Sequence, residues 1–169
     1  MQIDQTLMQS LLRQAASSPR LRAFLNLHQS FSEPVQRVLI AMLGQSYVVP
    51  HQHPNVGQFE LFLVLQGSLD LLQFDASGTV VSRQSLGAGL QQVGAELTPG
   101  VWHTLVAHGD GAVFLEIKAG PFDPAAPRCF ADFAPAEQSA WAKDYQQWLQ
   151  HAQVGERFEI EHTALELDS

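Results

Sequence analysis

The sequence predicts a mainly β fold, an antiparallel sandwich or barrel with a helix at each end, on three observations. From Val35 onward, short strands are predicted in quick succession at 35–43, 46–50, 59–66, 68–75, 79–85, 91–97, 102–107 and 112–118. Turn-forming residues separate them, among them Gly44, Gly67, Ser77-Gly78, Gly87 to Gly89 and Gly109 to Gly111, the usual punctuation of hairpins. Little between the runs has helical periodicity, and strands this short and closely spaced close on one another as antiparallel layers. At 169 residues the chain is expected to be one domain, 1–169, with its barrel over about 35–118 and length enough for a substantial core.

Ahead of the barrel, Ile3, Leu7, Leu11, Leu12 and Ala15 repeat at helical spacing with Asp4 at the start. Residues 3–16 are therefore predicted to form an amphipathic helix over one face or one open end of the barrel. Pro19 stops it. In Arg20 to His28, alternation puts Asn26 and His28 on one face and Leu25 and Leu27 on the other. On the last strand, Val113, Leu115 and Ile117 face one way and Glu116 and Lys118 the other, as an ion pair at the barrel mouth or as a solvated face. Gly120-Pro121 breaks the sheet. Residues 135–150 read as a second helix, with Trp141, Tyr145 and Trp148 on one packing stripe. The acidic tail from Phe158 to Ser169 either adds a strand or stays loose.

The chemistry concentrates in Pro50 to Gly67. His51 and His53 stand two apart in an extended segment, so both imidazoles point to one face while Gln52 points away. Glu60 opens the apolar run Phe59 to Leu65, and a carboxylate there is costly to bury unless something positive meets it. Two histidines and a carboxylate form a common site for a divalent transition metal; the alternative is an exposed loop with a fortuitous His-x-His. His103, at the start of an apolar strand after the Pro99-Gly100 turn, supplies a third imidazole.

His51-x-His53, Glu60 with Gly67 beyond it, and later Gly100-Val101-Trp102-His103 resemble the two motifs of the cupin superfamily. Joined by Val35-Gln36-Arg37, Ser46 to Pro50 and Glu116 to Phe122, they resemble the WbuC-type cupin-fold metalloproteins, over about residues 18–135. The resemblance implies a cupin jelly roll, a β-barrel or sandwich, holding one divalent transition metal on His51, His53, Glu60 and His103. It also implies an Arg/Asn/His cluster reaching the metal pocket; with strand alternation, it makes His28, Asn26, Arg37, Tyr47, Glu116 and Lys118 the expected pocket residues. Two departures matter. Six residues separate His53 from Glu60 where the superfamily has three or four, which leaves Gln58 as a rival for the carboxylate position. In the second motif Thr98 stands at the usual proline and Ala107 at a frequent asparagine; neither is a candidate ligand.

Three neutral imidazoles and a carboxylate suit Fe, Mn, Ni, Co or Zn and do not choose among them. Four protein ligands on Zn would also make a closed structural site. The net charge of −8 argues against nucleic acid, which needs a basic surface. No apolar run approaches the ~20 residues of a membrane span, and no basic start leads into an apolar block, so no membrane is expected and the cytoplasm is the expected location. The one cysteine, Cys129, forms no internal disulfide. The expected function is to bind or act on a small molecule: a sugar, a nucleotide sugar or a small acid. The resemblance implies surface-polysaccharide biosynthesis and an isomerase- or epimerase-like reaction. An iron-dependent dioxygenase and a non-catalytic sensing module are the alternatives, no catalytic residue is assigned, and a homodimer is compatible with the sequence.

Overall fold

The computed structural model describes residues 1–53, 57, 59–123 and 129–159. In chain order its elements are α1 (Gln5–Ser17), β1 (Arg22–Asn26), β2 (Val35–Met42), β3 (His51–Gln52), β4 (Glu60–Gln66), β5 (Ser68–Phe74), β6 (Val80–Gly87), β7 (Gly94–Leu97), β8 (Trp102–Ala107), β9 (Ala112–Ala119), β10 (Cys129–Phe130) and α2 (Ala142–His151). Among the described residues the strands form two five-stranded antiparallel sheets, ordered β1-β2-β9-β4-β7 and β10-β3-β8-β5-β6. Consecutive strands stay in one sheet only at β1/β2 and β5/β6 and cross to the other sheet at every other step, the chain crossing of a jelly roll.

Three apolar clusters hold the layers. Ile40, Phe62, Leu69, Leu71, Leu105 and Phe114 pack between the sheets. Met8, Leu11 and Ala15 of α1 lie on Leu39, Ala41 and Val113, on the outer face of the first sheet. Tyr145 and Leu149 of α2 pack on Leu72, Phe74 and Val106, on the outer face of the second. The central strands are therefore buried on both faces, which is why β2 is apolar at both parities instead of alternating. Asp4 caps α1 by accepting from the Leu7 N–H at 2.9 Å. The helix covers a sheet face and not an open end of the barrel.

Several boundaries differ from the sequence-based expectation. Residues 46–50 form no strand; the Val48 carbonyl accepts from the Thr104 hydroxyl at 2.6 Å instead of joining a ladder. Helix α2 begins at Ala142, not near 135. The preceding turn is tied down by the Tyr47 hydroxyl, which donates to the Pro135 carbonyl at 2.7 Å, and by Glu137, which takes both Arg20 and Arg22. Trp141 is accordingly exposed, and the buried stripe runs Ala142, Tyr145, Leu149. Phe158 packs on Tyr145 and Trp148, and Arg157 makes an isolated bridge to Thr79; residues 160–169 lie outside the described residues. No helix among the described residues is long and apolar enough to cross a membrane.

Candidate metal centre and its cavity

Strand pairing brings the candidate ligands together. His51 on β3 stands directly opposite His103 on β8, in the second sheet. His53 follows two residues later, its carbonyl accepting from the Gly100 N–H at 2.9 Å. Gly100 has φ +80°, a left-handed conformation that a side chain would strain, so the turn that starts the His103 strand also fixes the His53 backbone. Glu60 opens β4 in the facing sheet, paired in register with Leu97 and Lys118. Across the gap, His53 Nε2 lies 3.1 Å from Glu60 Oε1, and His103 Nε2 lies 3.0 Å from Glu60 Oε2. The His51 ring is 4.5 Å from that of His103 and 5.4 Å from that of His53, centroid to centroid.

The hydrogen bonds decide which nitrogen of each ring is free. His51 Nδ1 lies 3.0 Å from the Val49 carbonyl and His103 Nδ1 lies 2.9 Å from the Val101 carbonyl. A carbonyl only accepts, so both Nδ1 atoms carry the proton and the neutral rings present Nε2 lone pairs to the interior. Burial and then the neighbouring His103 push the His51 imidazole down to about 3, which keeps it neutral. Burial pushes the Glu60 carboxyl up, but the His103 and His53 nitrogens beside it outweigh that, and its net direction is well below the usual carboxylate range. The interior thus gathers one carboxylate and three imidazoles, rings that hydrogen-bond the carboxylate where Nε2 carries a proton and offer a lone pair to a cation where it does not. His53 Nε2 is buried and makes no hydrogen bond of acceptable geometry, although Glu60 is within reach.

These residues fit a metal ion. Two ligands at right angles on one ion, each at about 2.1 Å, stand about 3 Å apart, which matches the spacings of Glu60 from His53 and His103. Among the described residues no three His, Cys, Asp or Glu side chains are arranged as they stand to hold a metal ion; the Glu60 oxygens lie directly against the His53 and His103 rings. Gln58 lies outside the described residues.

A cavity of about 310 Å³ opens above this cluster and includes His51, His53, Glu60 and His103 in its wall. Much of its remaining lining comes from the even-numbered residues of β1, β2 and β9, and odd-numbered residues of the same strands, among them Leu39, Ala41 and Val113, pack against α1. Asn26, His28, Glu116 and Lys118 are all in the wall, and the Lys118 ammonium lies 3.0 Å from the Glu116 carboxylate. Arg37 and Tyr47 are not, and both expectations are corrected. Arg37 has the opposite parity from Val38, Ile40 and Met42, points outward and pairs with Glu33 at 2.8 Å. Tyr47 packs against α2 on the far face of the second sheet, its ring 5.7 Å from that of Tyr145.

Sequence reasoning missed Arg22, Phe24 and Gln36, which also line the cavity. Alternation from Asn26 back along β1 would have found the first two. Gln36, fully buried, donates to the Ser30, Phe31 and Glu33 carbonyls and so holds the turn that carries Phe31.

Residues 3–86 match the model of a domain of unknown function, DUF6016. No curated protein matches the chain. Solved structures similar to it include the protein TT1209 of Thermus thermophilus, at 20% identity and TM-score 0.50 over 70% of this chain and 97% of that one. An oxalate oxidase in complex with the substrate analogue glycolate is 17% identical, TM-score 0.50, over 68% of this chain and 57% of its own. A point mutant of Bacillus subtilis oxalate decarboxylase is also 17% identical, TM-score 0.50, over 64% of this chain and 27% of its own. At these identities the likeness shows the fold alone, and that fold is the cupin jelly roll.

Proposed function

We propose that His51, His53, Glu60 and His103 hold one divalent transition metal at the base of a cavity that receives a small molecule, and that the protein acts on or binds that molecule through the metal. The observation that carries this reading is the buried convergence of metal-ligand donor types on one point. Three imidazoles and a carboxylate converge, two of the rings have their proton committed to backbone carbonyls, and His53 Nε2 is left without a hydrogen bond. A ring nitrogen without a proton facing that carboxylate is costly unless a cation stands between them. The open cavity favours small-molecule chemistry over a closed structural zinc site.

A bound ion of this class supplies a Lewis acid, or with iron a redox centre. The protein supplies the rest. The Val49 and Val101 carbonyls orient the His51 and His103 rings and fix their tautomers. Lys118 and Glu116, joined at 3.0 Å in the same cavity, can give and take a proton from a molecule held there. A sugar or nucleotide-sugar substrate of the WbuC type rests on the sequence resemblance, not on the cavity.

Thermal melts test the metal assignment. Chelator-treated protein is expected to gain stability with one of Fe(II), Mn(II), Ni(II) or Zn(II), by about 2.7 kcal/mol at a hundredfold excess over Kd. Without metal it is expected to melt lower but stay folded, because three apolar clusters remain. His103→Ala is expected to abolish most of the shift, whereas His151→Ala, exposed at the end of α2, keeps it. Equal shifts in the wild type and His103→Ala would overturn the assignment.

A further inference from the structure

Strand register grades the cavity face of the first sheet. Gln36 on β2 stands opposite Lys118 on β9, and Lys118 stands opposite Glu60 on β4. The Leu27 N–H donates to the Arg37 carbonyl at 2.8 Å, which carries the β1–β2 pairing on and sets His28 beside Gln36. The row His28, Gln36, Lys118, Glu60 is therefore polar on every strand. In the next row inward-facing Asn26 and Glu116 alternate with Val38 and Phe62, and in the one after it Phe24, Ile40, Phe114 and Val64 are all apolar. The polar row runs from the metal-ligand cluster toward β1, about 10 Å from Glu60 to Gln36 at ~4.8 Å per strand.

The far end of that row holds buried polar atoms that the protein leaves open. Gln36 is 1% exposed and His28 7%, and both line the cavity. Gln36 Nε2 lies 2.9, 3.2 and 3.4 Å from the Glu33, Phe31 and Ser30 carbonyls. Carbonyls only accept, so the atom among them is the nitrogen and Oε1 is an acceptor. Among the described residues Oε1 has no hydrogen-bond partner. His28 Nδ1 lies 3.0 Å from the Arg37 carbonyl and 3.1 Å from the Arg37 nitrogen, so the backbone serves it with or without a proton. His28 Nε2, also buried and without a partner among the described residues, is an acceptor in one tautomer and a donor in the other. Polar atoms left open in a cavity wall call for their complement on the occupant.

The two residues restrict what that complement is. A carboxylate would set an acceptor against Gln36 Oε1. An ammonium would donate, but of the cavity carboxylates Glu60 stands among the histidines and Glu116 is held by Lys118 at 3.0 Å, so its charge would be buried without a partner. A hydroxyl is neutral. It donates to Gln36 Oε1 and accepts from His28 Nε2, in the tautomer whose Nδ1 accepts from the Arg37 N–H.

We propose that Gln36 and His28 form a subsite for a neutral hydroxyl on the bound molecule, at the opposite end of the polar row from Glu60. This deepens the small-molecule reading above; it rests on the cavity and does not require the metal.

Four chains of one length test it: 6-hydroxyhexanoate, hexanoate, adipate and 6-aminohexanoate share a carboxylate and differ at the far end. NMR titration of the full chain labelled with 15N-histidine, zinc-loaded and EDTA-treated, reads affinity and the His28 ring nitrogens together. The hydroxy acid is expected to bind about five- to tenfold more tightly than the other three. It is also expected to shift the His28 Nε2 resonance, which hexanoate leaves in place. His28→Leu is expected to remove the preference and leave hexanoate binding unchanged; if that variant does not fold, the wild-type resonance decides. Hexanoate binding as tightly as the hydroxy acid would mean that cavity water serves Gln36, and would overturn the proposal. Tighter binding of adipate or 6-aminohexanoate, no binding by any of the four, or an unmoved His28 resonance would overturn it too. A hydroxyl preference in protein that takes up no zinc would overturn the metal reading and leave this one standing.

Discussion

Two buried carboxylates, Asp70 beside one histidine and Glu60 beside two, sit in differently balanced surroundings. Asp70, on β5 near the end of α2, accepts from Ser85 Oγ at 2.7 Å and from Arg83 Nε at 2.6 Å, with His108 Nε2 at 3.0 Å. Arg83 spends its remaining donors on the Leu149, Gln150 and Ala152 carbonyls, the open C-terminal end of α2. Burial pushes the Asp70 carboxyl up, and Ser85, Arg83 and His108 together bring it below its usual value. Donors and acceptors balance there, and nothing further is required. Around Glu60 they do not balance: His53 Nε2 is buried without a hydrogen bond of acceptable geometry, and the His51 and His103 rings spend their Nδ1 protons on backbone carbonyls. A balanced buried cluster staples a fold, whereas an unbalanced one is shaped for something that is not part of the chain.

The contrast breaks most sharply at Arg83. Arg83→Ala leaves Asp70 buried with one fewer cation and strips three helix-end carbonyls of their donor, so the free energy of unfolding is expected to fall by about 3–5 kcal/mol. Denaturant unfolding should show that loss equally with and without metal. A loss below about 1 kcal/mol, the worth of an exposed pair, would mean that Asp70 and Arg83 do not staple the fold.

Glu60→Gln sharpens the other half, with a smaller effect of opposite character. The amide brings N–H donors to ring nitrogens that now face a carboxylate, so the metal-free protein is expected to be unchanged or about 1 kcal/mol more stable. The stabilisation by added metal is expected to fall with the loss of an anionic ligand. Metal-free Glu60→Gln unfolding as easily as Arg83→Ala would place Glu60 among the groups that hold the fold.

The sequence makes the fold and the convergence of its ligand candidates readable for different reasons. Turn residues between short apolar runs locate most strands, and His51, Glu60 and His103 each sit at or next to the start of one; strand pairing then sets His51 beside His103, and the packing of the two sheets sets Glu60 across from them. The cavity wall is harder to read. In β2 both parities are apolar because α1 covers one face, so alternation cannot tell that Gln36 points inward and Arg37 outward. Tyr47 lies in an extended segment without a ladder, where side-chain parity has no fixed meaning. The start of α2 is not legible because the contacts that hold residues 135–141 in a turn come from Arg20, Arg22 and Tyr47, about a hundred residues away in the chain.

X-ray absorption at the edge of whichever metal the purified protein binds tests the central claim most directly. The four candidate ligands require three imidazole nitrogens and one carboxylate oxygen at about 2.0–2.2 Å, with the outer-ring scattering of three histidines. His103→Ala should lower that histidine count to two. A shell of oxygen ligands with one histidine or none, or a spectrum unchanged by His103→Ala, would contradict the assignment of the metal to His51, His53, Glu60 and His103.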